Sequence, residues 1–130
     1  MGKRILVIDD DLAVRQAFSL TFDDSPYDLD TAESGMRGLE LVGQRHYDLI
    51  FLDLRMPSMD GVQTLTELRQ RGHATPVYIV TAFHKEFLAQ LSELSRSGVE
   101  FEILSKPVGA QQLLEVATTV LEGSIFHACN

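Results

Sequence analysis

Five short β-branched or apolar runs recur along the chain at residues 5–8, 27–31, 49–52, 77–80 and 101–104, each bounded by turn or charged residues. Runs of four or five such residues have the length of buried strands. Stretches with helical spacing lie between them: Phe87, Leu88, Leu91 and Leu94 lead up to Gly98, and Leu113, Leu114, Ala117, Val120 and Leu121 lead up to Gly123. Both glycines stand where helix C-termini favour them. A third helix is expected to start at Asp60, whose side chain can cap it ahead of Val62, Leu65 and Leu68 on one face. The second helix is the weakest, because Gly35 and Gly38 interrupt it.

Strict alternation of strand and helix predicts a parallel sheet with helices on both faces, joined by right-handed crossovers. The reading is βαβαβαβαβα, one doubly wound α/β domain over residues 1–123, with 124–130 as a C-terminal tail or the start of a linker. A chain of 130 residues buries roughly two-thirds of the surface exposed when unfolded, so it needs no disulfide or metal staple. Cys129, with no second cysteine to bridge, is read as an incidental free thiol. The formal charge of −8 opposes direct binding of nucleic acid, and no basic patch overrides it. The N-terminal apolar run is too short for a signal peptide or a membrane span, and a cytoplasmic location is expected.

In open sheets of this kind ligands bind beyond the carboxyl ends of the strands. Those ends carry Asp9, Asp10 and Asp11 after the first run, Asp53 after the third, Thr81 after the fourth and Lys106 after the fifth. Gathered carboxylates repel by roughly 4 kcal/mol per pair at about 4 Å in a medium of effective dielectric near 20. A hard divalent cation offsets that, and Mg²⁺ suits one or two carboxylates plus a phosphate. A lysine charge and a hydroxyl then complete what phosphoryl transfer requires: a nucleophile, a metal and donors for the equatorial oxygens. A carboxylate can itself be the nucleophile and form an acyl phosphate, and Asp53 is the natural candidate.

Each residue also has a blander reading. Acidic residues commonly cap helices, and Asp11 is read as that cap. A strand-end threonine or a lone lysine means little by itself. Asp53 is different, since a carboxylate directly after an apolar strand carries a desolvation cost that function would explain. His46, His73, His84 and His127 lack metal spacing or a nucleophile partner and are read as surface or loop residues.

From Lys3 to about Glu122 the motifs VIDDD, LIFLDLRMPSMDG, YIVTAF and ILSKPV, in register, resemble the response-regulator receiver family of two-component signalling. The resemblance implies a flavodoxin-like (βα)5 domain with strand order 2-1-3-4-5. It implies Mg²⁺ held by Asp9, Asp10, Asp53 and the backbone carbonyl of Arg55, with Asp53 phosphorylated, Thr81 as switch hydroxyl and Lys106 paired with the phosphoryl group. It further implies a cis Lys106–Pro107 bond and a sensor histidine kinase or phosphotransfer protein as donor. The domain would catalyse only its own phosphorylation and dephosphorylation, switching a face of helix 4, strand 5 and helix 5 through which it docks or forms a homodimer.

Two departures stand out. The family usually has Tyr or Phe three residues before the lysine, where this chain has Ile103; Phe101 is the ring one pleat further back on the same face. The interval from Gly98 to Lys106 is also one residue longer than usual. Three other functions share parts of this pattern. A haloacid-dehalogenase-type phosphohydrolase would use Asp9 as nucleophile with Asp11, but Ala13 stands where Thr or Val is usual and the chain is short. A flavodoxin-like electron carrier would need a phosphate-binding loop where three aspartates stand. A degenerate receiver acting only as an interaction module is disfavoured by the intact site.

Overall fold

The computed structural model describes residues 2–128, with side chains through residue 123; Cys129 and the side chain of His127 lie outside the described residues. The elements in chain order are β1 Arg4–Ile8, α1 Leu12–Phe22, β2 Asp28–Ala32, α2 Gly35–Gln44, β3 Leu49–Leu52, α3 Gly61–Gln70, β4 Val77–Thr81, α4 Leu88–Arg96, β5 Glu102–Ser105 and α5 Ala110–Ala128. The strands form one parallel sheet in the order β2-β1-β3-β4-β5, as expected. Their boundaries shift from the apolar runs by at most one residue at either end, because backbone pairing extends past the apolar stretch at Thr81 and begins after the ring of Phe101.

Alternate residues of the central strands feed two cores. Leu6, Ile8, Ile50 and Leu52 pack with Leu39, Leu65, Leu68 and Leu91 of α2, α3 and α4. Ile5, Val7, Leu49 and Phe51 pack with Phe18 and Phe22 of α1 and Leu113 and Ala117 of α5. Covering both faces removes any need for a polar side, which is why Leu49–Leu52 is buried at every position.

The helix starts follow their caps. Asp11 accepts from the Ala13 N–H, and Asp60 accepts from the Gln63 N–H while the Gln63 side chain accepts from the Asp60 N–H, a reciprocal capping box. Ser34 caps α2, and two of its three glycines, Gly35 and Gly38, have a packing reason. A Cβ on Gly38 would lie 2.4 Å from Ile8 Cδ1, and one on Gly35 would lie 2.2 Å from Thr64 Oγ1. Close docking of α2 on β1 and α3 therefore offsets its low helix propensity. Gly98 follows the end of α4 at φ +90°. The last helix loses helical geometry at Glu122, one residue before Gly123, and then continues to Ala128. Glu122 is also where the Tyr27 hydroxyl donates to the helix from the start of β2. None of the described helices is long and apolar enough to cross a membrane.

Candidate functional site

Sheet hydrogen bonding runs one residue past three strands and fixes the polar residues that follow. The Asp9 N–H donates to Ala32 O at 3.1 Å, the Asp53 N–H to Ile8 O at 2.9 Å, and the Lys106 N–H to Thr81 O at 3.0 Å. The side chains of Asp9, Asp53, Thr81 and Lys106 thus start from rigid elements at one end of the sheet. Asp9, Asp53 and Thr81 are buried, while Asp10 is exposed at the rim.

Asp9, Asp10 and Asp53 each place a carboxylate oxygen within 4.8 Å of the others. Hard oxygen donors at that spacing, two of them buried, fit a small divalent cation. The Lys106 ammonium faces the same oxygens, donating to Asp9 Oδ2 at 3.0 Å and lying 3.7 Å from Asp53 Oδ2. The other oxygens are tied to the backbone: Asp11 N–H donates to Asp9 Oδ1 and Leu54 N–H to Asp53 Oδ1, both at 2.9 Å. One edge of Asp53 is therefore anchored and the other faces the cleft. Thr81 Oγ1 accepts from the Phe83 N–H at 3.0 Å, which leaves its own proton to be donated toward Asp53.

Burial pushes the Asp53 carboxyl above the ordinary carboxylate range, and the Asp9 charge adds to the rise; Lys106, the Thr81 hydroxyl and the Leu54 N–H pull the other way. Folded Asp53 thus keeps its proton to higher pH than unfolded Asp53 does. The folded state binds more protons across that window, so stability falls as pH rises through it. Asp53→Asn is expected to raise the melting temperature of the metal-free protein at pH 7, with the gain disappearing below the ordinary carboxylate range. Identical melting curves for both proteins at every pH would contradict this.

The cleft, about 630 Å³ in volume, is lined by Asp9, Asp10, Asp53 and Lys106 together with Arg55, Met56, Pro57 and Phe83. The Arg55 guanidinium stacks over the Phe83 ring, 4.7 Å from its centroid, and lies 3.5 Å from Glu86. Side chains from the loops after β3 and β4 therefore meet across the mouth. Their stacking has no sequence signature, since the two residues are 28 positions apart. Lys106–Pro107 is cis.

Gly61 shapes the site from behind. Its N–H donates to Leu54 O at 2.7 Å, and a Cβ there would lie 2.3 Å from Asp53 O and 2.7 Å from Leu54 Cα. The start of α3 is thereby pressed against the peptide that carries Asp53. In the sequence Gly61 stands out as the residue after a helix cap and the end of the MPSMDG run, neither of which signals this close approach.

Among the expected departures, Ile103 is exposed on β5, and Phe101 is half-buried against the core on the α2, α3 and α4 side. Of the histidines, His46 pairs with Asp48 at 3.1 Å and His84 Nδ1 lies 3.4 Å from Ser105 Oγ.

The family model for the response regulator receiver domain matches residues 5–118. The Regulator of RpoS from Escherichia coli K12 is 33% identical over 98% of this chain, which spans 37% of that protein. The chain spans less than half the length of the curated relatives it matches. A CheY-like receiver domain from Methanospirillum hungatei superposes with a TM-score of 0.84 at 23% identity, covering 98% of this chain and 99% of that one. The response regulator TrrA from Thermotoga maritima, solved in complex with Mg²⁺ and BeF, superposes at 0.76 with 28% identity, covering 91% and 98%. A sheet of order β2-β1-β3-β4-β5 with acidic residues after β1 and β3 and a lysine after β5, matched by the family model across both cores, makes this chain a member of the response regulator receiver family of two-component signalling.

Proposed function

We propose that Asp53 is the phosphoacceptor of this domain, with a sensor histidine kinase or a phosphotransfer protein as donor. The observation that carries the reading is the pose of its carboxylate: buried, anchored by the Leu54 N–H on one oxygen, and open on the other toward Lys106 and the cleft. That oxygen attacks phosphorus in line as the bond to the donor imidazole nitrogen breaks, and the product is an acyl phosphate on Asp53.

Asp9, Asp10, Asp53 and the backbone carbonyl of Arg55 are the residues that would hold Mg²⁺, which supplies charge stabilisation to the transferring group. The Thermotoga neighbour, solved with Mg²⁺ and BeF, supports that choice. Lys106 leaves its shared position between Asp9 and Asp53 to pair with a phosphoryl oxygen, and Thr81 turns its hydroxyl proton to another. Both supply donors where charge develops. The domain then catalyses only its own phosphorylation and dephosphorylation, in the cytoplasm. The added charge, up to two negative units, biases the surface of α4, β5 and α5 toward docking or homodimerisation. Leu88 and Ile103 expose apolar area there, which supports that use.

Incubation with acetyl phosphate and Mg²⁺, followed by intact-mass measurement, tests the reading. One phosphoryl group per chain is expected, with none in Asp53→Asn or in excess EDTA; stoichiometric uptake by Asp53→Asn would overturn it. Phe83, stacked beneath Arg55 at the mouth, shields the acyl phosphate from water. Phe83→Ala is therefore expected to shorten the phosphoryl half-life, and an unchanged half-life would count against shielding.

A further inference from the structure

We propose that Arg15 is a positioning residue for the metal-binding carboxylates, closing the β1–α1 turn by donating from its guanidinium to the backbone carbonyl of Asp9. The bond is 2.8 Å from Nη1, and the side chain is half-buried. The inference rests on the reading that Asp9 and Asp10 hold Mg²⁺.

The carbonyl lies just where sheet bonding stops. The Asp9 N–H still pairs with Ala32 O, and the next carbonyl along the chain turns away from the ladder to meet Arg15. Asp9 is thereby held at four points: Ala32 on its N–H, Arg15 on its carbonyl, Asp11 N–H on Oδ1 and Lys106 on Oδ2. When Lys106 moves to a phosphoryl group, the last of these is given up. Arg15 then becomes the side-chain restraint on a turn whose next residue, Asp10, is exposed.

Its location is unusual on local grounds. Arg15 stands in the first turn of α1, where the helix dipole disfavours a cation. A charged side chain at an unfavourable helix position, bonded back across six residues to the strand end, points to a role in the turn rather than in the helix. Groups that orient ligands from behind typically change metal affinity by about 10- to 100-fold when removed. Arg15 holds the backbone of one ligand, which places its effect near the lower figure.

Mn²⁺ binding measured by electron paramagnetic resonance on the folded protein tests this. Arg15→Ala is expected to weaken the Mn²⁺ dissociation constant by about tenfold, and Arg15→Lys, which keeps a donor, is expected to restore most of the loss. Arg15→Gln serves where alanine unfolds the protein, and a severalfold weakening is expected there too. Affinity equal to the wild type in both Ala and Gln variants, with only the melting temperature in EDTA lowered, would show a merely structural arginine and overturn the proposal. Tighter binding would also overturn it, since it would mean that the guanidinium acts by repelling the cation. Failure of the metal reading itself looks different: Mn²⁺ would bind wild type and Asp9→Asn alike, or neither.

Discussion

Replacing Lys106 by methionine is expected to destabilise the metal-free protein by about 3 kcal/mol at neutral pH. Lys106 is the ammonium facing Asp9 at 3.0 Å and Asp53 at 3.7 Å, and both carboxylates are buried. Methionine preserves much of the volume but leaves two like charges with their partner removed. Two dependences separate this from a packing defect. The loss should shrink as pH falls and Asp53 protonates, and Mg²⁺ should recover part of it by supplying charge to the same oxygens. Urea unfolding of Lys106→Met at neutral and acid pH, with and without Mg²⁺, measures both. A loss insensitive to pH and Mg²⁺ would mean that the lysine stem, not its charge, matters.

Gly61→Ala is expected to lower stability by about 2 kcal/mol and to slow phosphoryl uptake by about two orders of magnitude. The new Cβ would press on Asp53 O and Leu54 Cα, both backbone atoms that cannot rotate away. Relief requires moving the start of α3 or the peptide after Asp53, and a shift of about 1 Å in a reacting group is enough for a rate loss of that size. Rates of uptake from acetyl phosphate, compared with urea midpoints, check the two effects separately. A variant with wild-type rates would show that the peptide carrying Asp53 tolerates displacement.

The fold was legible in the sequence because the central strands β1, β3 and β4, buried on both faces, read as apolar runs that alternate with helically spaced stretches. The site was legible for a related reason. In a parallel sheet every strand ends at the same edge, so Asp9, Asp53, Thr81 and Lys106 could be gathered before any distance was known. What stayed hidden depends on side chains meeting across loops. Nothing in the spacing of Arg55, Phe83 and Glu86 signals a stacked and paired cluster at the mouth. Gly35 and Gly38 read as flaws in α2, because propensity is local and the clash with Ile8 and Thr64 that they avoid is tertiary. Arg15 carried one usable signal, a cation at the wrong end of a helix. Ile103 is exposed on β5, and Phe101 is the neighbouring ring that packs inward.

The proposed reaction bonds phosphorus to Asp53 and not to another carboxylate of the cluster. An acyl phosphate on aspartate is reduced by borohydride to homoserine, so reductive trapping after acetyl phosphate treatment, followed by tandem mass spectrometry of peptides, names the residue. Homoserine at position 53 alone is the expected result; homoserine at Asp9, or at neither residue after stoichiometric uptake, would contradict it.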